Sequence, residues 1–162
     1  MMRGRLRRDR RALSAQGFEI TSVLVSPPPL TSLPAVYLDE TSSLWAVAYP
    51  LQPPVIHKLS DVRACSAAED LGEGDEGVSG GRPALDAVLL RPRELSRRNA
   101  ARRGLSLGIG VRVLLADGAT GETAMSIPLC VSVVQRGSPA HRSLMSQAAG
   151  LARALSPAPA AS

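Results

Sequence analysis

Two runs of strict alternation constrain this chain more than anything else in it. Apolar residues occupy the odd positions Leu105, Leu107, Ile109, Val111, Val113 and Leu115, and again Met125, Ile127, Leu129, Val131 and Val133. The stretch Ala116-Asp117-Gly118-Ala119-Thr120-Gly121 between them carries a turn signal. A period of two places one face of each strand in a core and the other in water, so a long antiparallel hairpin is predicted. A helix follows. Ser138 is a natural N-cap, and Pro139 suits the first helical position, where its missing N–H costs nothing. Leu144, Ala148, Leu151 and Leu155 recur at helical spacing, Met145 and Ala152 widen the stripe, and Ser156-Pro157 ends it.

Upstream the signals are shorter. Residues 3–16 fit a short helix with a weak stripe of Leu6, Ala12 and Leu13, stopped by Gly17. Phe18–Val25 reads as a strand closed by the stiff connector Pro27-Pro28-Pro29. Val36–Leu38 and Leu44–Tyr49 read as strands around the turn Asp39–Ser42, with Pro50, Pro53 and Pro54 ending the second. Val55–Leu59 and Val62–Ala68 follow as further strands. Residues 69–82 carry Glu69, Asp70, Glu73, Asp75, Glu76 and five glycines, a solvated loop composition. Pro83–Leu90 and Pro92–Arg103 are helix-compatible, and the tail from Pro157 is expected to be disordered.

At 162 residues the chain has the length of one domain and needs no disulfide or metal staple. Its formal charge of +5 is local: residues 1–11 hold six arginines and Asp9, so the remainder sums to zero. No secretory leader or bilayer-length apolar run is evident, which makes a cytoplasmic location the expectation. The aromatics are Phe18, Tyr37, Trp45 and Tyr49, all before residue 50, and no base-stacking platform is visible beyond them.

Few residues point to chemistry. Cys65 and Cys130 are read as reduced, buried thiols; whether they meet in space is not legible. A zinc site would need His57, His141, Cys65 and Cys130 to converge, yet the nearest pair, His57 and Cys65, is eight residues apart. No nucleophile elbow is present, and His141, in the first turn of the last helix, is expected to be exposed. Gly108 and Gly110 fall on the outward face of a strand, where they permit curvature or close approach of another backbone. Pro128 has no N–H to donate, so its strand should lie at an edge or carry a bulge. Such an edge invites an added peptide strand.

Val36-Tyr37-Leu38-Asp39-Glu40 with Leu44-Trp45-Ala46-Val47 resembles the opening of a loosely defined group of uncharacterised bacterial domains. Leu59-Ser60-Asp61-Val62-Arg63 leading to Glu69-Asp70, and Ile127-Pro128-Leu129 followed by Ser138–Leu155, resemble the same group. The likeness spans 36–155 with a large gap, and its motifs are structural, so it implies no activity. Many members carry a glycine-rich apolar segment after the region equivalent to Gly80-Gly81-Arg82. Here Pro83–Gly104 is arginine-rich instead, so membrane insertion is not expected. Several strands capped by one C-terminal helix are also similar to a pleckstrin-homology-like barrel, an analogy of architecture only.

The fold expected is α+β: a strongly bent antiparallel sheet or partly open pleckstrin-homology-like barrel, capped by a C-terminal helix and carrying a helical insertion. Residues 1–17 would be a basic arm or short helix, 18–155 one domain with an acidic loop at 69–82 and the insertion at 83–103, and 156–162 a disordered tail. The expected function is a non-enzymatic binding or regulatory module with a protein partner. The alternative is nucleic-acid binding through the arginines at 3–11 and 91–103, with Arg3, Arg5, Arg7, Arg8, Arg10, Arg11, Arg97, Arg98, Arg102 and Arg103 as contacts. No catalytic residue, cofactor or metal is expected, and the oligomeric state is not legible.

Overall fold

The computed structural model describes residues 2–70, 103–118, 121–130 and 132–157. Most of the predicted acidic loop, the helical insertion and the end of the tail lie outside the described residues. The elements in chain order are α1 (Met2–Ser14), β1 (Ser22–Val25), β2 (Ala35–Asp39), β3 (Leu44–Ala48) and β4 (Val55–Lys58). A single 3-10 turn, Leu59–Asp61, leads to β5 (Val62–Asp70). Then come β6 (Leu105–Ser106), β7 (Gly108–Asp117), β8 (Gly121–Cys130), β9 (Val134–Gln135) and α2 (Pro139–Leu155).

The architecture is α+β with antiparallel pairing throughout, but the predicted single bent sheet is replaced by three separate sheets. One has the order β1-β2-β3-β4, one the order β5-β7-β8, and β6 pairs with β9. The ladder breaks at the Leu59–Asp61 turn, which redirects the chain so that β4 and β5 do not pair. No closed barrel forms among the described residues.

β2 and β3 are buried along almost their whole length because both faces of their sheet are covered. Val36, Leu38, Trp45 and Val47 face a core shared with Val62, Ile109, Val111, Val113, Ile127 and Leu129 of the second sheet. α2 closes that core with Ala148, Leu151, Ala152 and Leu155, resting mainly on β5 and β7 and reaching β1. On the opposite face Ala35, Ala46 and Ala48 are short enough to let α1 approach, and Leu13, Phe18 and Tyr37 fill the space. Phe18 is drawn into this second core, its N–H bonded to the Leu13 carbonyl at 3.0 Å, so the predicted strand from Phe18 shortens to begin at Ser22.

The alternation holds in the hairpin and fails before it. Ile109, Val111, Val113, Ile127 and Leu129 are buried as predicted. At Leu107 the chain bends: its N–H donates to the Asp70 carbonyl at 2.8 Å, and it is Ser106, not a leucine, that is buried beside it. Leu105–Ser106 then leaves the hairpin to pair with Val134–Gln135, and Val133 is exposed. The α2 N-terminus is capped as expected, the Ser138 Oγ accepting the His141 N–H at 3.2 Å.

Candidate functional site

α1 uses its arginines in two ways. Leu6, Asp9 and Leu13, at helical spacing, form the inward stripe, and Asp9 is 1% exposed. The Tyr37 hydroxyl donates to Asp9 Oδ2 at 2.7 Å, and the Arg5 and Arg8 Nε atoms lie 3.8 and 3.7 Å from its carboxylate. Burial, then the bond to Asp9, push the Tyr37 hydroxyl far above the usual phenol range. Arg5 also donates from one terminal nitrogen to the carbonyls of Leu33 at 3.0 Å and Ala48 at 2.8 Å. It therefore bolts α1 to the sheet.

Arg3, Arg7, Arg8, Arg10 and Arg11 remain exposed, with Arg3, Arg7 and Arg10 spaced along one helix face. Arg103 is exposed in the turn before β6. Arg97, Arg98 and Arg102 lie outside the described residues. The buried Asp9 is easily missed in the sequence, because a lone acid among arginines reads as surface. The signal for it is its place between Leu6 and Leu13.

The predicted chemical residues do not converge. Cys65 stands opposite Val113, and Cys130 opposite Ile109, whose other neighbour is Glu69. Four residues along the strands and two strands across separate the cysteines by about 16 Å, more than twice the reach of a disulfide. Both thiols are free, and burial raises that of Cys65 to about 11. No cluster of metal-ligating side chains occurs among the described residues.

His141 is not exposed as predicted. β5 runs on to Asp70 and carries Glu69 to the first turn of α2, where Glu69 Oε1 lies 2.7 Å from His141 Nε2 and 3.5 Å from Arg136 Nε. The Gly137 N–H donates to His141 Nδ1 at 3.3 Å, while Nε2 faces Glu69. With both ring nitrogens engaged, this imidazole ties β5 to α2.

Two surfaces stand out among the described residues. The first is the far side of β8: β8 ends its sheet, and no strand pairs with it there among the described residues. Pro128 sits in this edge strand, where the register slips between Ile109 and Gly110, so both an edge and a bulge are present. Residues 121–124 and Ser126 of β8 are exposed. The second is a cavity of about 490 Å³ between α1 and the Pro27-Pro28-Pro29 loop, with Tyr37 in its wall.

The chain matches no family model, no curated protein and no solved structure. No helix among the described residues is long and apolar enough to cross a membrane.

Proposed function

We propose that this protein is a non-enzymatic binding module that takes an extended peptide as an added strand along β8. The observation that carries this reading is the ten-residue edge strand, its outer ladder unpaired among the described residues and its side-chain face exposed. Such a row of N–H and C=O groups is a template for another chain, and proteins ordinarily blunt it with short strands, proline, bulges or charge. Here Pro128 and its bulge blunt only one end, leaving Gly121–Ile127 regular. Of the other edges, β1 and β4 are four residues each, β1 with its own irregularity, and the longer β5 packs against α2. The four-plus-three strand order followed by a terminal helix supports a pleckstrin-homology-like reading of the architecture.

The test is selection of dodecapeptides from a random phage-displayed library, followed by amide hydrogen exchange. Selected peptides should slow exchange across Gly121–Ile127 and lose binding when alternate backbone nitrogens are methylated. The double variant Ala124→Lys, Ser126→Lys, at exposed positions, should weaken binding while leaving the melting temperature in place. Peptides that protect a different segment, or that tolerate backbone methylation, would refute the reading.

The second reading, nucleic-acid binding, is favoured by one observation, the row of exposed arginines on α1. It predicts affinity for duplex DNA that falls steeply with salt and is lost in Arg7→Glu, Arg10→Glu. Salt-insensitive or absent binding would remove it.

A further inference from the structure

We propose that the cavity beneath α1 binds a free single-chain carboxylate, its alkyl chain against the proline loop and its head group on Arg3. The site is separate from the β8 edge and stands or falls independently of it.

At about 490 Å³ the space falls within the size of small-molecule pockets, roughly 300–1,000 Å³. Its wall is carbon-rich: Leu6 of α1, Ala35 of β2, and the three prolines with Leu30 from the β1–β2 loop. Three successive prolines hold that wall stiffly, so little conformational entropy is lost when a chain is bound against it.

The charge at this site is positive, and Arg3 carries it without a partner among the described residues. Arg3 lines the cavity, is exposed, and forms no ion pair or hydrogen bond among the described residues. Arg5 lines it too, held in place by the Leu33 and Ala48 carbonyls, and its buried Nε has no hydrogen-bond acceptor. The nearby anion, Asp9, is already engaged by Tyr37, Arg5 and Arg8. An incoming carboxylate therefore meets guanidinium, and an incoming cation is repelled.

Leu30 is the second observation. It lines the cavity, is 93% exposed, and sits at φ +63°, a left-handed conformation that a non-glycine residue rarely adopts. The Thr31 hydroxyl donates to the Pro28 carbonyl at 2.8 Å and fixes the turn. An alkyl chain entering the cavity passes this lip and covers it, which is the burial the residue lacks. Together, an apolar space, a free guanidinium and an apolar lip select a ligand with a chain at one end and a negative charge at the other.

The full chain is titrated calorimetrically with sodium decanoate below its micelle concentration, with decyltrimethylammonium and acetate as separate probes. Decanoate should bind with one-to-one stoichiometry, and the other two at least tenfold more weakly. Amide chemical shifts should move in α1 and residues 26–35 and not in β8. Arg3→Glu should weaken decanoate at least tenfold at an unchanged melting temperature, because Arg3 has no partner to lose. Leu30→Gly, which relieves the backbone, should weaken decanoate several-fold without loss of stability. Equal binding of the cationic amphiphile, multiple unsaturated sites, or unaltered affinity in Arg3→Glu would overturn the proposal. So would binding to phosphatidylglycerol vesicles without binding to monomeric decanoate, which would assign the arginines to a bilayer surface instead.

Discussion

Gly110 stands opposite Pro128 where the β7–β8 ladder slips: Ile109 pairs with Cys130, Gly110 with Pro128, and Leu129 is left over. A Cβ on Gly110 would lie 3.1 Å from the Pro128 Cα and closer still to the Ile127 carbonyl oxygen. Proline, bulge and glycine are therefore one device. The proline cannot donate to a ladder, the extra residue accommodates it, and the missing side chain lets the distorted backbone come close. The same device sets the limit of the regular β8 edge.

Gly110→Ala should accordingly destabilise the protein by about 1–3 kcal/mol, since the atoms it meets are backbone and cannot rotate away. Gly108→Ala is the control on the same strand. Its Cβ would find the Cys130 carbonyl oxygen at 3.7 Å, an ordinary contact, and the change should stay within about 0.5 kcal/mol. Urea unfolding of the two variants measures the contrast. Equal effects would show that the close approach is relieved by a shift of β8.

The buried Asp9 makes α1 sensitive at inward positions and indifferent outside. Tyr37→Phe removes the hydroxyl that donates to Asp9 and should cost about 1–3 kcal/mol. Arg5→Ala, which leaves the Leu33 and Ala48 carbonyls without their donor, should cost a similar amount. Arg7→Ala and Arg10→Ala, both exposed, should change stability by no more than about 0.5 kcal/mol. Thermal melts of these single variants separate the two classes, and a large loss at Arg7 or Arg10 would mean that the outer face is also held.

His57 should give stability a pH dependence just below neutrality. Its ring stacks on Trp45 with centroids 4.6 Å apart and planes 29° from parallel. Burial lowers its pKa from the ordinary 6.5, against a smaller opposing pull from Asp61. The unfolded chain then binds a proton more readily than the folded one. Stability is complete above about pH 6.5 and declines as pH falls toward the depressed folded value. His57→Phe keeps an aromatic ring on Trp45 without the titration. Its urea midpoint should vary less between pH 7.5 and 5.5 than that of the native chain. An identical slope in both proteins would place the titration elsewhere.

Periodicity and local chemistry were enough to determine the β7–β8 hairpin, the capped helix α2, the Asp39–Ser42 turn, and the edge-and-bulge status of Pro128. These follow from short-range rules: a repeat of two or 3.6, a side chain that caps, a nitrogen without a proton. They hold because each depends on residues within a few positions of one another.

Packing between distant segments decided what those rules do not reach. Arg5 and Arg10 are alike in sequence, yet Arg5 is an internal bolt because the Leu33 and Ala48 carbonyls arrive beside it from 28 and 43 residues away. His141 is paired because β5 runs two residues past its apolar pattern and delivers Glu69. The cavity exists because alanines on one face of the first sheet admit α1 while the proline loop folds against it. An ion pair or a cavity is made by groups far apart along the chain, and their meeting is set by how whole sheets and helices pack, which no local repeat encodes.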